Sequence, residues 1–417
     1  MLKLLPSILL AVTVLLIGVV IWTVSVADRR PIAWTNEDYT IALIGNKMAE
    51  DGQRGHARNV WDLQLYQGKV YVGGGSTTQN TGPINVWAYD PATGQFDREF
   101  VVQEEAIEVY RVLDGDLYIP AADPVKGDSN KFYRRRNGTW TNFSGGPDLA
   151  HVRDIALYQG QLIGVGNARQ IETHTSAFVS HDRGRSFSPA TDPKRLNIAD
   201  NWFYSLFDYQ GTLFATSLRF HVMGDLASLL TFNDQSNHFS LDAGYTTADF
   251  LPVTGDQAYA AVTMRLWTHV EYKGLLVYAI RTYSTARPRY HEMYNRSYGM
   301  FIKEGTKSSP QPVVFPDDRV VGEDVIVRND SLFVLANRFA EKGHYVVYVY
   351  RLTDPQRHRD PNWDQIVKFN CRNKARSFEL MNDTFYFGLG CEFDEPVAHA
   401  GEIVTVTRSS AADRSNN

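Results

Sequence analysis

The 417-residue chain has few cysteines, little excess charge of either sign and few helical patterns beyond its N-terminus. Two cysteines are too few for a disulfide-dense scaffold or a cysteine-rich zinc or iron–sulfur site. Lysine and arginine number 42 against 47 aspartates and glutamates, which gives a net charge of −5. This balance excludes a broadly basic nucleic-acid-binding protein, and we expect no nucleic-acid partner.

Signature motifs of catalysis and cofactor binding are also missing from the sequence. It contains no HExxH metal motif, no GxSxG nucleophile motif and no GxGxxG phosphate-binding loop. Its histidines show no close ligand spacing that would indicate a metal site. We therefore predict no cofactor and no metal, and the catalytic residues are unknown from the sequence.

The N-terminus carries a long hydrophobic run. Residues 4–26 contain no charge and approach the ~20 apolar residues that span a bilayer. Ser25-Val26-Ala27 resembles a small-x-small cleavage site, so residues 1–30 are either a membrane anchor or a signal peptide. We expect the rest of the chain to be extracytoplasmic: periplasmic, extracellular or lumenal and membrane-anchored, or secreted if the segment is cleaved.

A pattern of strand, two-residue turn and strand recurs seven times after this run, at intervals of 45 to 63 residues. The second turn residues are Gly68, Gly115, Gly160, Gly211, Gly274, Asp330 and Asp383. Glycine, asparagine and aspartate tolerate the positive φ that a tight hairpin requires. A second hairpin follows most copies, so each repeat has four strands, as a β-propeller blade does.

The sequence therefore predicts an all-β fold: a seven-bladed β-propeller over residues 31–408, preceded by the transmembrane helix or signal peptide. Residues 409–417 are predicted to be a disordered tail. The seventh repeat ends one strand short, after residues 402–408. Residues 39–45 can supply the missing strand, and closing the ring in this way removes exposed sheet edges.

Two local motifs resemble those of seven-bladed propellers of the kelch and sialidase-like type. Residues 72–75, Val-Gly-Gly-Gly, are similar to a kelch double glycine. Residues 180–187, Ser-His-Asp-Arg-Gly-Arg-Ser-Phe, resemble the Asp-box turn of sialidases and of several non-enzymatic propellers. The resemblance implies structural roles for Ser180, Asp182 and Gly184, with the aspartate capping the turn of an outer hairpin.

The long loops of the predicted propeller fall on one face. Turns between strands 1–2 and 3–4 of each repeat are short, whereas the 2–3 and repeat-to-repeat connections are long, and long loops on a rigid scaffold often carry function. The longest 2–3 loop, in the fifth repeat, mixes arginine, histidine, glutamate and tyrosine. Arginine suits carboxylates and phosphates because its planar fork donates two hydrogen bonds at once. The predicted ligand-binding residues are Arg287, Arg289, His291, Glu292, Arg219, His221 and Arg338.

Two functional hypotheses from different classes follow. The first is a membrane-tethered extracytoplasmic propeller that binds a glycan, an anionic ligand or a protein partner through its loop-rich face. The alternative is a carbohydrate-active enzyme, a glycoside hydrolase or a lyase, that uses the same face. A hydrolase needs two carboxylates at a defined separation, which only a structure can measure.

The two cysteines lie on either side of the last predicted turn. Antiparallel pairing about residues 382–383 places residue 374 opposite Cys391, and Cys371 lies three residues further along. We predict a Cys371–Cys391 disulfide that pins the last blade, consistent with an oxidising compartment. Two buried free thiols are the alternative.

Overall fold

The computed structural model describes residues 39–77, 79–121, 123–125, 131–144, 149–168, 177–191, 201–219, 228–241, 244–245, 249–250, 265–282, 296–341, 344–354, 363–391 and 398–408. Their regular secondary structure is β-strand, apart from one turn of α-helix (α1, Lys47–Glu50) and a short 3-10 helix (Gly55–Arg58). No helix in these ranges is long and apolar enough to cross a membrane. The predicted anchor or signal peptide, residues 1–30, and the predicted tail, residues 409–417, lie outside the described residues.

Strand β1 (Tyr39–Gly45) is the first strand of the described residues, and seven inner-to-outer series of strands follow it. Blades one to three contain β2 (Asp62–Tyr66), β3 (Lys69–Gly73), β4 (Ile84–Asp90), β5 (Gln95–Val102), β6 (Arg111–Leu113), β7 (Asp116–Pro120), β8 (Lys131–Arg136), β9 (Thr139–Ser144), β10 (Leu149–Tyr158), β11 (Gln161–Ala168), β12 (Ala177–Ser180) and β13 (Ser188–Pro189). Blades four and five contain β14 (Asn201–Tyr209), β15 (Thr212–Arg219), β16 (Ser228–Asn233), β17 (His238–Ser240), β18 (Arg265–Tyr272), β19 (Leu275–Thr282), β20 (Arg296–Glu304) and β21 (Gln311–Pro312). Blades six and seven contain β22 (Val320–Arg328), β23 (Ser331–Glu341), β24 (His344–Leu352), β25 (Asp364–Cys371), β26 (Lys374–Met381), β27 (Thr384–Gly390) and β28 (Ile403–Arg408).

The seven predicted two-residue turns are confirmed. Both residues of each turn have positive φ, from Gln67 at 49° and Gly68 at 77° to Asn382 at 49° and Asp383 at 61°. This is the backbone conformation that matches the twist of a tight hairpin. The turns end the innermost strand of every blade on one side of the propeller, here named the turn side. The opposite side, where the 2–3 and blade-to-blade connections lie, is named the loop side.

The ring closes with strands from both ends of the described chain, as the sequence predicts. Strand β1 pairs antiparallel with β28, from Tyr39 opposite Arg408 to Gly45 opposite Ile403. The seventh blade therefore has the order β26-β27-β28-β1 and gains its fourth strand from the beginning of the chain. The seven-bladed, all-β fold class is confirmed.

Apolar side chains fill the interfaces between the blades. The described residues form seven buried clusters, and each cluster draws its members from two neighbouring blades. At the closure seam, for example, Met48 and Val60 pack with Tyr386 of the last blade. The hydrophobic core is thus distributed around the ring, between neighbouring blades.

Carboxylates join the innermost strands of adjacent blades. Asp62 accepts the backbone N–H of Tyr110 at 2.7 Å, and Asp154 accepts that of Leu206 at 2.9 Å. Glu379 accepts the backbone N–H of Leu65 at 2.9 Å, across the closure seam. Each bond satisfies a backbone donor that would otherwise be buried without a partner, which fixes the register between blades.

The predicted disulfide is wrong, because Cys371 and Cys391 are buried free thiols. Cys371 ends β25 and pairs with Tyr345 in the outer half of blade six, whereas Cys391 follows β27 in blade seven. The prediction counts residues back from the turn at 382–383 and so treats Cys371 as an extension of β26. In the structure the chain crosses from blade six to blade seven between Cys371 and Lys374, so the two cysteines belong to different blades. Burial raises the pKa of the Cys371 thiol to about 12.

Candidate functional site

Five of the innermost strands contain a β-bulge at the same place. In β10 the register shifts between Val152 and Asp154, so Arg153 is the extra residue. In β14, β18, β22 and β26 the corresponding extra residues are Tyr204, Trp267, Glu323 and Arg376. A bulge turns its extra residue out of the regular alternation, and bulges are common beside binding and active sites.

The bulged residue stands seven positions before the second turn residue of its blade, and Trp61 and Glu108 occupy that position in blades one and two. We name these seven side chains the channel ring: Trp61, Glu108, Arg153, Tyr204, Trp267, Glu323 and Arg376. All are buried, with 0% to 7% of each residue exposed. Every blade therefore contributes one aromatic or charged side chain at an equivalent point of the channel.

Ring members from neighbouring blades, and in one case from distant blades, contact one another. The rings of Trp61 and Trp267, from blades one and five, have centroids 5.9 Å apart. The Arg376 guanidinium lies 4.7 Å from the centroid of Trp61, and that of Arg153 lies 5.5 Å from the centroid of Tyr204. Aromatic rings and guanidinium groups of the channel ring thus pack against one another inside the channel.

Two further cations join the ring on its loop side. Arg281, near the end of β19, lies with its guanidinium 4.2 Å from the Trp267 centroid and donates to the Arg376 carbonyl at 3.2 Å. Its Nη2 is 3.5 Å from Glu323 Oε2, and Lys374 Nζ is 2.9 Å from Glu323 Oε1. Arg281 and Lys374 therefore both contact the carboxylate of Glu323, and Arg281 links this pair to the backbone of Arg376.

A pair of carboxyl groups lies at the edge of the ring. The Glu105 backbone N–H donates to the Asp123 carbonyl at 2.7 Å, and His151 Nδ1 is 3.3 Å from Asp123 Oδ1. Burial, followed by the charge of Asp123, raises the pKa of Glu105 to about 7. Burial raises the pKa of Asp123 to about 6, while the charge of Arg153 opposes the rise. Both groups are thus able to hold or release a proton close to neutral pH.

The glycine run predicted from residues 72–75 positions one part of this site. Gly75 has φ of +100°, and a Cβ there would lie 2.4 Å from the Glu105 carbonyl oxygen. Its own carbonyl accepts the indole N–H of Trp61 at 2.7 Å. Only glycine lets the backbone approach this closely, so the run holds Trp61 beside Glu105. The kelch type of the propeller stays a prediction.

The Asp182 turn lies on an outer hairpin, between β12 and β13. Asp182 Oδ1 accepts backbone N–H groups from Arg185 at 2.9 Å and Ser186 at 2.8 Å. Ser180 Oγ donates to Asp182 and accepts the Gly184 N–H at 2.7 Å. These hydrogen bonds, above all those from Ser186, hold the pKa of Asp182 far below its ordinary value. Membership of the Asp-box type stays a prediction.

Most of the predicted ligand-binding residues lie outside the described residues: Arg287, Arg289, His291, Glu292 and His221. Arg219 ends β15, where its backbone pairs with Asn201. Arg338 donates to Asp317 at 3.1 Å and is not part of the channel ring. The ligand-binding role of all seven stays a prediction, and the sequence-based reasoning did not find the channel ring, Arg281 or Lys374.

No family model and no curated protein matches the chain. Among solved structures, an ulvan lyase, a polysaccharide lyase bound to -[GlcA(1-4)Rha3S]-, is 14% identical with a TM-score of 0.45, over 84% of this chain and 93% of that one. A xyloglucanase from Xanthomonas campestris is 10% identical with a TM-score of 0.48, over 88% of this chain and 55% of that one. The phage phi92 endosialidase is 11% identical with a TM-score of 0.42, over 92% of this chain and 71% of that one. Likeness at this level concerns the fold alone.

Proposed function

We propose that the chain is a membrane-tethered, extracytoplasmic propeller that binds an acidic glycan at the loop-side end of its channel. The observation that carries this function is the stacking of Arg281 on Trp267 and of Arg376 on Trp61. Indole faces offer large apolar area to a sugar ring, and guanidinium forks bind carboxylate or sulfate groups in two-point contacts. Tethering is supported by the uncharged residues 4–26.

The charge of the site favours an acidic over a neutral glycan. Arg281 and Lys374 both contact Glu323, and Arg281 also donates to the Arg376 carbonyl, so three cationic residues lie at this end of the channel. Charge interactions are stronger in such a buried setting, because water screens them less. A neutral glycan would gain only packing against the two tryptophans and so would bind more weakly.

Burial of the two arginines also predicts how the ligand binds. Arg281 and Arg376 are both 0% exposed, so a ligand reaches them only after the surrounding side chains rearrange. Binding that requires a conformational change is slower than ordinary protein association. We expect association rate constants below about 10⁵ M⁻¹s⁻¹, the lower end of the usual range.

Matched acidic and neutral ligands test this function. Residues 31–417 are titrated with oligogalacturonate and with its methyl ester, which keeps the sugar backbone but removes the charge. We expect the acid to bind at least tenfold more tightly, with slow association in a surface-binding experiment. Equal binding of acid and ester would contradict the glycan proposal, and absence of both would favour a protein partner.

A carbohydrate-active enzyme is the second candidate, because Glu105 and Asp123 provide titratable carboxyl groups beside the ring. A general acid with a pKa near 7 suits both glycosidic-bond protonation and proton transfer in a lyase. Incubation with acidic polysaccharides tests for such an enzyme and distinguishes a hydrolase from a lyase. A hydrolase releases reducing ends alone, whereas a lyase also forms an unsaturated, ultraviolet-absorbing product. Glu105→Gln should lower any turnover about 10²- to 10⁴-fold, the usual contribution of acid–base catalysis.

The location of the chain is tested separately. With residues 1–30 present, we expect the protein to remain with membranes after alkaline carbonate washing, and to be degraded by protease added outside the cell or spheroplast. A chain beginning at residue 31 should be soluble under the same washing. Full-length protein that washes off the membrane would contradict the anchor and leave the cleaved signal peptide.

A further inference from the structure

A second cavity lies in the channel, on the turn side of the channel ring. Its volume is about 160 Å³, and its lining comes from β2, β18, β22, β26 and the residues at the start of β6. Trp267 belongs both to the ring and to the lining, so the ring forms the inner end of the cavity. At the other end, the Arg328 side chain is 29% exposed and that of Arg111 is 20% exposed. This turn-side cavity therefore opens away from the loop-rich face.

The cations of the turn-side cavity are held by carboxylates. Arg328 Nη2 lies 2.7 Å and 2.6 Å from the two oxygens of Glu379. Arg111 donates to both oxygens of Asp154 at 2.9 Å and 3.0 Å. Because these guanidinium groups already face carboxylates, an anionic ligand would gain little from them.

Two carboxyl groups that share a hydroxyl partner also line the cavity. Asp324 accepts the Ser377 hydroxyl at 2.9 Å, and Asp62 lies 3.4 Å from the same hydroxyl. Burial raises the pKa of both acids, to about 7 for Asp62. The cavity is thus neutral to acidic, opposite in character to the cation-rich loop side, and it disfavours carboxylate and sulfate groups.

Two nitrogen atoms in the lining have hydrogen-bonding capacity left. Among the residues that the structure describes, Arg328 Nε and His269 Nδ1 are buried and have no hydrogen-bond partner. Arg328 Nε can only donate, whereas a neutral imidazole nitrogen donates or accepts according to its tautomer. Burial lowers the pKa of His269 to about 4, so its ring is neutral at physiological pH. A hydroxyl group, which both donates and accepts, is the group that suits both atoms.

The size of the space limits the ligand. A cavity of 160 Å³ exceeds many times the volume that one water molecule requires, but it is smaller than the pockets that hold drug-sized ligands. Its lining mixes polar and charged side chains with apolar ones, among them Leu63, Val109, Val270 and Ile326. One sugar ring or a small polyol, with polar edges and apolar faces, matches this combination.

We propose that the turn-side cavity is a binding site for a small, neutral, polyhydroxylated ligand of the size of one sugar ring. It is separate from the loop-side site, since Trp61 and Trp267 meet between the two. His269 and Arg328 would bind its hydroxyl groups, and the carboxyl groups of Asp62, Asp324 and Glu379 would reject acidic analogues.

Glucose and glucuronate form the matched probe pair, because they differ only in the carboxylate at carbon six. Residues 31–417 are titrated with each sugar and observed by saturation-transfer NMR and calorimetry. We expect saturable glucose binding and at least tenfold weaker glucuronate binding. Absence of saturable glucose binding, or equal binding of the two sugars, would overturn the assignment.

A cavity-filling variant tests whether glucose binds in the turn-side cavity. Val270 lines the cavity and also packs against the apolar cluster between blades five and six. Val270→Phe enlarges this side chain and should abolish glucose binding, whereas Val112→Phe, on a residue 43% exposed outside the lining, should leave it unchanged. Full affinity in Val270→Phe would overturn the site. If that variant does not fold, His269→Leu takes its place: at least fivefold loss of glucose affinity supports the site, and unchanged affinity overturns it.

Discussion

The indole rings of Trp61 and Trp267 meet across the channel with centroids 5.9 Å apart, although they belong to the first and fifth blades. The two ends of the channel, on either side of this contact, differ in chemistry. Arg281, Arg376 and Lys374 gather on the loop side, whereas Asp62, Asp324 and Glu379 line the cavity on the turn side. We therefore expect the loop-side end to prefer anionic ligands and the turn-side end to prefer neutral ones.

Asp62 makes stability depend on pH. Burial raises its pKa from 3.8 to about 7, so between these values the folded chain holds a proton that the unfolded chain has lost. The stability that this bound proton gives to the folded chain is therefore complete below about pH 4 and is lost as the pH rises through 7. The unfolding free energy is measured in urea between pH 5 and pH 8. Its decrease over this range should be smaller in Asp62→Asn than in the unmodified chain, by on the order of a few kcal/mol.

A matched substitution distinguishes burial from charge removal alone. Asp97 is an aspartate whose side chain is 55% exposed, and Asp97→Asn should keep the pH dependence of the unmodified chain. If Asp62→Asn and Asp97→Asn gave the same dependence as the unmodified protein, proton binding by Asp62 would not contribute to stability.

The two cysteines should be reduced and unreactive in the folded chain. Both are buried, and burial raises the pKa of Cys371 to about 12, so almost no thiolate is present at pH 8. A thiol-specific chromogenic reagent should find two thiols per chain in denaturant without reductant, and none within minutes under native conditions. Finding no thiols in denaturant would instead establish the disulfide.

Removal of β1 should open the ring. This strand supplies the outer strand of blade seven, and Tyr39 and Ile41 pack against the apolar cluster between blades six and seven. A chain beginning at residue 46 should unfold at least several degrees below one beginning at residue 31, because it exposes the β28 edge and part of this cluster. Equal thermal midpoints would show that the pairing of β1 with β28 adds no stability.

The fold was predictable because its signals are local. Each hairpin requires two consecutive residues with positive φ. Pairs such as Gln67-Gly68 and Asn382-Asp383 have this conformation and are recognisable in the sequence. Their intervals determine the number of blades. The disulfide prediction failed for a related reason: counting residues around a turn gives the pairing within one blade, but not the point at which the chain crosses to the next.

The channel ring was harder to predict, although its position is regular. Its members stand seven residues before the turns, and charged residues in an innermost strand, such as Arg376 and Glu379 in β26, were a visible signal. The alternation of side chains along a strand does not reveal a bulge, however. Glu323 and Arg376 belong to the ring because each is the extra residue of a bulge. Reasoning from loop length favoured residues 287–292 and overlooked the ends of the strands.

The most direct test of the central claim is the dissociation constant for oligogalacturonate of residues 31–417 carrying Arg376→Met. Arg376 is fully buried beside Trp61, and loss of a charge-assisted hydrogen bond costs about 1.5–3 kcal/mol, so binding should weaken about 10- to 100-fold in a variant shown to be folded by circular dichroism. The matched control, Arg319→Met, removes an arginine that is 68% exposed and should leave affinity unchanged. Unchanged affinity in Arg376→Met, or an equal loss in Arg319→Met, would contradict acidic-glycan binding at the channel ring.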